Sequence, residues 1–239
     1  MSVAWRIARR ELRGGLTGFR VFLASLAPGV AAIAAVGSVR SAIQAGIAEQ
    51  GAVLLGGDAS VQLTYRRASA DDLDYLASVA DEVGEVIDFR SMARLPGDAD
   101  TALTQVKAVD GVYPIYGQTV LDPVMPLDEA LEPRDGLPGA VMAPLLVERL
   151  QIALGDTFFL GAQEFRLSAR LMSFPDDGSG GFDFGPPTLV HIDGLANSGL
   201  ITEGTLFNSE YRMRLPDGTN LSALEAQTMQ AMAGSAPRW

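Results

Sequence analysis

The chain offers few side chains that could do chemistry. His191 is the only histidine among the 239 residues, and so the only side chain whose ordinary pKa lies near neutrality. It sits in an apolar run, Leu189-Val190-His191-Ile192. The plain reading is a half-buried or edge-strand histidine. The sharper one is a general base, which needs an orienting partner and a nucleophile within reach. There is no cysteine, hence no disulfide framework and no thiolate nucleophile. No H-E-x-x-H, G-x-S-x-G, C-x-x-C or phosphate-loop pattern occurs.

The remaining candidate is the stretch 174–187, FPDDGSGGFDFGPP, with Asp176, Asp177 and Asp183. Carboxylate oxygens suit hard divalent cations, but the order of an EF-hand loop is absent. A phosphate cradle would need a lysine with Ser or Thr, or a G-x-G-x-x-G run, and neither is present. Gly, Pro and Ser at this density read as a flexible connector. No catalytic, cofactor-binding or metal-binding residue is therefore nominated, and no cofactor is expected. An enzyme is the least expected class.

The elements that must position these residues begin with Val21–Val39, nineteen residues without a charge, flanked by Arg20 and Arg40. At a rise of ~1.5 Å per residue, about twenty such residues cross a hydrocarbon core. Eight strongly apolar members (Val21, Phe22, Leu23, Leu26, Val30, Ile33, Val36 and Val39) give about −2.4 to −4.8 kcal/mol for insertion. Pro28, Gly29, Gly37, Ser25 and Ser38 work against that sum. Ala27, Ala31 and Ala35 leave a small-residue face for another helix. The alternative is a cleaved signal peptide, including a twin-arginine form on Arg9-Arg10. The segment exceeds the usual length of a signal-peptide core, and Val36, Val39, Ile43 and Ile47 continue its helical spacing to a stop at Gly56-Gly57-Asp58. We therefore expect one transmembrane helix and stalk over residues 20–57.

Charge gives the orientation. The chain carries −11 overall, with +4 in residues 1–20 and −15 in the rest. A basic flank stays in the cytoplasm, which places the acidic remainder outside. Residues 1–19, with Trp5, Leu12, Leu16 and Phe19 on one side and arginines beside them, read as an interfacial helix on anionic lipid. The acidic balance disfavours nucleic acid as a partner.

Residues 58–239 read as an α+β domain. Ala59–Arg66 alternates as a strand. Ser69 and Asp72 make a capping box for a helix with Leu73, Leu76, Ala77, Ala80 and Val83 as its stripe, ending at Gly84. Val86–Leu95 and Ala102–Val109 read as strands joined by Pro96-Gly97-Asp98, giving a β-α-β-β layer. The prolines of 112–140 lead into an inserted β-rich lobe, about 115–175. It has a short helix opened by Pro144 and a hairpin, Thr157–Leu160 with Glu164–Leu171. Strands at Thr188–Ile192 and Thr205–Leu215 and a helix at Leu221–Met232 follow.

Four stretches in this order carry a resemblance: Trp5-Arg6-Ile7-Ala8-Arg9-Arg10-Glu11-Leu12-Arg13; the apolar span with Gly37-Ser38-Val39; Leu55-Gly56-Gly57-Asp58; and Pro144–Leu150 followed by Gly155-Asp156-Thr157-Phe158. The chain resembles the N-terminal portion of FtsX-like ABC-transporter permeases with a MacB-like periplasmic core domain, in particular the YbbP-type permeases. The resemblance implies an inner-membrane protein with a cytoplasmic N-terminus and a two-lobed periplasmic domain without an active site. It also implies two partners, an ATP-binding subunit and the remaining permease helices, with membrane lipid around them. The cargo implied is hydrophobic, such as lipid or lipoprotein. Such permeases continue into further transmembrane helices, so the chain is expected to be a truncated product or a fragment. The competing expectation is an anchored or secreted periplasmic binding module for an apolar ligand.

Overall fold

A computed structural model describes residues 16–98, 100–176, 185–202 and 204–239. The interfacial helix expected from the first residues falls mostly outside them, as do Asp177 and Asp183. Two compact units are formed, one up to Gln50 and one from Gly51 to Trp239.

Helix α1 (Leu16–Leu55) is unbroken over 40 residues and runs through Pro28. Every residue from Leu26 to Arg40 is exposed. Among the described residues no helix is long and apolar enough to cross a membrane. The transmembrane span expected from the sequence is thus not found as such. Past Leu55 the backbone turns through Gly56 at φ +74°, a region that glycine enters without a Cβ penalty.

The second unit is built on a mixed sheet. Its strands are β1 (Ala59–Thr64), β2 (Glu82–Arg94), β3 (Thr101–Val109), β4 (Val120–Asp122), β5 (Gly139–Met142), β6 (Thr157–Leu160), β7 (Gln163–Ser173), β8 (Pro187–His191) and β9 (Asn208–Arg214). They lie in the order β1-β9-β2-β3-β8-β5-β7-β4, with β6 pairing β2 and β7. The β3–β8 and β5–β7 pairs are parallel and the other pairs antiparallel. Parallel neighbours need long crossovers. That between β5 and β7 carries α4 (Pro144–Leu150) and β6.

Local chemistry explains most elements. Helix α2 (Ala70–Val79) starts on a complete capping box: the Asp72 N–H donates to Ser69 Oγ, and the Ser69 N–H donates to the Asp72 carboxylate. It stops at Val79, five residues before the expected Gly84. That glycine lies instead inside β2, next to Ile115 and Val112. Only Leu76 and Asp72 of α2 are buried, while Leu73 points outward, so the expected stripe is narrower. Helix α3 (Leu127–Leu131) lies in the proline-rich segment, and Pro144 opens α4 at its first turn. In β7 the alternation holds, with Phe165, Leu167, Ala169 and Leu171 buried. Asn220 caps α5 (Leu221–Ala231) by accepting from the Ala223 N–H.

Three apolar clusters fill the unit. Val61, Leu63, Leu76, Tyr211 and Met213 pack under α2 and α5. Ile87, Phe89, Val106, Leu146, Phe158 and Phe165 join β2 and β3 to α4 and the β6–β7 hairpin. Val86, Val109, Leu121, Leu131 and Leu189 make the third. The middle strands β2 and β3 contribute to two of them, one on each face.

Candidate functional site

The face of β2 carrying Gly84, Val86 and Asp88 meets Lys107 and Val109 of β3 and Glu210 and Arg212 of β9 through the register of the strands. Charged side chains thus stand on a sheet face that the chain covers. Lys107 and Arg212 are both buried. Burying such charges is tolerable only with close counter-ions.

The counter-ion is Asp176, just past β7, whose side chain is 0% exposed. Its Oδ2 lies 2.5 Å from Lys107 Nζ and 2.6 Å from Arg212 Nη1. Its Oδ1 accepts from the Tyr113 hydroxyl at 2.8 Å. Glu210 takes Arg212 Nη2 at 2.8 Å, and Asp88 stands 4.0 Å from Lys107. Burial works against the Arg212 charge, but Glu210 and Asp176 more than offset it and hold its pKa above the ordinary value. Burial, then the Asp176 charge, pushes the Tyr113 hydroxyl up. Burial raises the Asp88 carboxyl against the pull of Lys107.

The end of α1 meets this cluster. The Gly56–Gly57 backbone lies over Arg212 so closely that a Cβ on Gly56 would overlap the guanidinium, and one on Gly57 would come 3.3 Å from the arginine's own Cβ. Asp58 then clamps the turn to the exit of β9. Its N–H donates to the Met213 carbonyl, and its carboxylate accepts from the Leu215 N–H and the Tyr116 hydroxyl. Burial, then Asp58, pushes that hydroxyl up to about 12.

A second feature is a groove of about 660 Å³ between the end of β3, α3 and the turn after β8. Val109, Tyr113, Leu127 and Leu131 give it apolar wall, and Asp110, Asp128, Glu129, Glu132 and Asp193 give it carboxylates. Glu129 pairs with Arg134 at 3.0 Å. Burial raises the Asp110 carboxyl although the Glu85 and Val112 amides donate to it.

His191 lines this groove at the end of β8, about one-third exposed. Its Nδ1 accepts from the Asp193 N–H at 3.3 Å, with the Asp193 carboxylate 3.6 Å away. Its local partner is therefore the turn it begins. Asp176, grouped by composition with a flexible connector, is instead fixed in the ion cluster, and this corrects the reading of the stretch from 174. Among the described residues no group of three or more His, Asp or Glu is placed to hold a metal ion. The sequence reading missed Lys107 and Arg212. A signal was available: Lys107 is the only lysine and sits in an apolar strand.

No protein-family model matches the chain. Among curated proteins it is similar to the uncharacterized ABC transporter permease YbbP of Escherichia coli (strain K12), at 27% identity over 188 residues. That match covers 79% of this chain, and the chain spans 22% of the length of that relative. Among solved structures it is similar to the periplasmic region of MacB from Actinobacillus actinomycetemcomitans, with a TM-score of 0.48, 12% identity, and 74% of this chain and 84% of that one covered. It is likewise similar to the extracellular domain of the noncanonic ABC-type transporter YknZ from Gram-positive bacteria, with a TM-score of 0.48, 12% identity and coverage of 74% and 92%. The resemblance of the sequence to ABC-transporter permeases holds in the curated relative.

Proposed function

We propose that the chain is a permease component of an ABC transport system, representing its N-terminal anchor and first extracytoplasmic domain. The observation that carries this reading is the similarity to a permease over 79% of the chain. In this reading a separate ATP-binding subunit hydrolyses ATP. The permease turns the resulting movement into displacement of the stalk and a two-lobed periplasmic domain, and the cargo is hydrophobic, a lipid or lipoprotein. The protein resides in the inner membrane with its N-terminus in the cytoplasm and its main domain in the periplasm.

Helix α1 supports the anchor. From Leu26 to Val39 it exposes apolar residues on every side without a charge, and Val30, Ile33, Val36 and Val39 are each more than half exposed. Such exposed apolar residues call for lipid or neighbouring helices, although the helix falls short of the length and apolarity of a lone span. The basic residues before it favour a cytoplasmic N-terminus.

A second reading, an anchored or secreted binding module for an apolar ligand, has the groove beside α3 in its favour. Its five carboxylates weigh against that ligand class, because an apolar ligand desolvates them and offers Asp128 and Glu132 no partner in return.

The test is co-purification of the chain in detergent with the ATP-binding subunit of the transport system. The account expects a stable complex. A permease that enters the membrane yet never associates with that subunit contradicts it.

A further inference from the structure

We infer that Asp176, Arg212 and Lys107 form a buried ionic latch that locks the turn at the end of α1 to the segment leaving β7. The inference rests on the permease reading only for its purpose, the transmission of displacement from the stalk into the periplasmic domain; the latch itself rests on geometry.

Four stretches far apart in sequence meet at one carboxylate and one guanidinium: Gly56–Gly57, residues 107–113, Asp176 and Arg212. The Asp176 carboxylate receives Lys107 from β3, Arg212 from β9 and Tyr113 from the segment after β3. Arg212 in turn is roofed by the Gly56–Gly57 backbone. The guanidinium thus stands against both the Gly56 turn and the Asp176 carboxylate. A rigid intermediary of this kind carries displacement, because its planar fork is held by Glu210 on one nitrogen and Asp176 on another.

The latch is strong but incompletely satisfied. Arg212 Nε finds no hydrogen-bond partner among the described residues, and Nη1 faces Asp176 as an ion pair without hydrogen-bond alignment. A buried cation short of an acceptor stores part of its desolvation cost. Loss of Asp176 therefore leaves two buried cations competing for the remaining carboxylates, and the roof over Arg212 loosens with them. The glycines match the role: a side chain at position 56 would wedge the turn off the arginine.

The test is hydrogen exchange, followed by mass spectrometry, on the full chain in detergent micelles, comparing the parent with Asp176→Asn. The latch predicts that amides of Gly56–Asp58 and of residues 110–116 exchange faster together, by about tenfold or more, while those of α2 keep their parent rates. Faster exchange confined to the neighbourhood of residue 176, with Gly56–Asp58 unchanged, overturns the latch. Should Asp176→Asn not fold, Tyr113→Phe removes one hydrogen bond to the same carboxylate. It is expected to raise exchange at Gly56–Asp58 by about twofold to fivefold, and no rise there overturns the latch. Association with the ATP-binding subunit is scored separately on the parent. Its absence sinks the permease reading and leaves the latch standing, whereas unchanged exchange sinks the latch alone.

Discussion

The ion cluster around Arg212 and the groove beside α3 both gather acidic side chains, and they use them in opposite ways. In the cluster Asp176, Asp88 and Glu210 face two buried cations, with Asp176 fully covered and Asp88 and Glu210 about one-quarter exposed. In the groove five carboxylates line an open cleft, with Arg134 pairing Glu129 and His191 beside Asp193. For Asp128, Glu129, Glu132 and Asp193, which are exposed, solvent does in the groove what Lys107 and Arg212 do in the cluster. The same residue type is structural where it is desolvated and paired, and nearly silent in stability where water screens it. Counting carboxylates along the sequence does not separate the two cases; the cations placed among apolar neighbours do.

That contrast predicts a graded series of substitutions. The largest effect is expected for Arg212→Ala, which leaves Asp176 buried with one cation fewer; it should lower unfolding stability by about 3–5 kcal/mol, read as a fall in the urea midpoint. Gly56→Ala should cost about 2 kcal/mol, from the strained φ and the overlap with the guanidinium. In an Arg212→Ala background that cost should shrink toward the backbone part alone, and a double-mutant cycle measures the difference. Away from the cluster, Ser69→Ala removes the cap of α2 and should cost about 1 kcal/mol. Asp128→Asn and Glu132→Gln in the groove should each stay within about 0.5 kcal/mol of the parent. A groove substitution as costly as Arg212→Ala would break the comparison.

Acid offers a separate check, through one carboxyl of the cluster and one of the α2 cap that are shifted in opposite directions. Burial raises Asp88 above its usual value. Its protonated form therefore favours the fold, and that contribution is lost as pH rises through the folded value. Asp88→Asn does not titrate, so it should match the parent below pH ~3.8 and gain on it at neutral pH. For Asp72, burial pushes upward, but hydrogen bonds from Ser235 and Ser69 outweigh it and hold the carboxyl below its usual value. Its contribution is present above pH ~3.8 and lost as pH falls through the folded value, so the deficit of Asp72→Ala should narrow in acid. Urea midpoints across pH check both signs.

The sequence discloses what depends on near neighbours. The Ser69–Asp72 capping box, the β2–β3 hairpin, the alternation in β7 and the glycine stop after Leu55 are all local signals, and the structure has each. It hides what depends on distant pairing. Strand β9 enters between β1 and β2, and β8 returns parallel to β3; no periodicity encodes either choice. The ion cluster depends on both, since Arg212 arrives with β9. Asp176 stayed hidden for a related reason: its neighbours Gly178, Ser179 and Gly180 have the composition of a connector, and its partners stand 69 and 36 positions away. Ser235 likewise joins the α2 cap across 163 positions, which turns a local motif into a tie for the end of the chain.

The most direct test of the account is the topology of the full chain carrying a C-terminal tag. Cells are fractionated, the membranes are extracted with carbonate, and the tag is probed with protease on intact spheroplasts. The account predicts an untrimmed chain that stays in the carbonate-washed pellet, with its tag digested from outside. A soluble product trimmed near residue 40, or a tag protected inside the spheroplast, contradicts it.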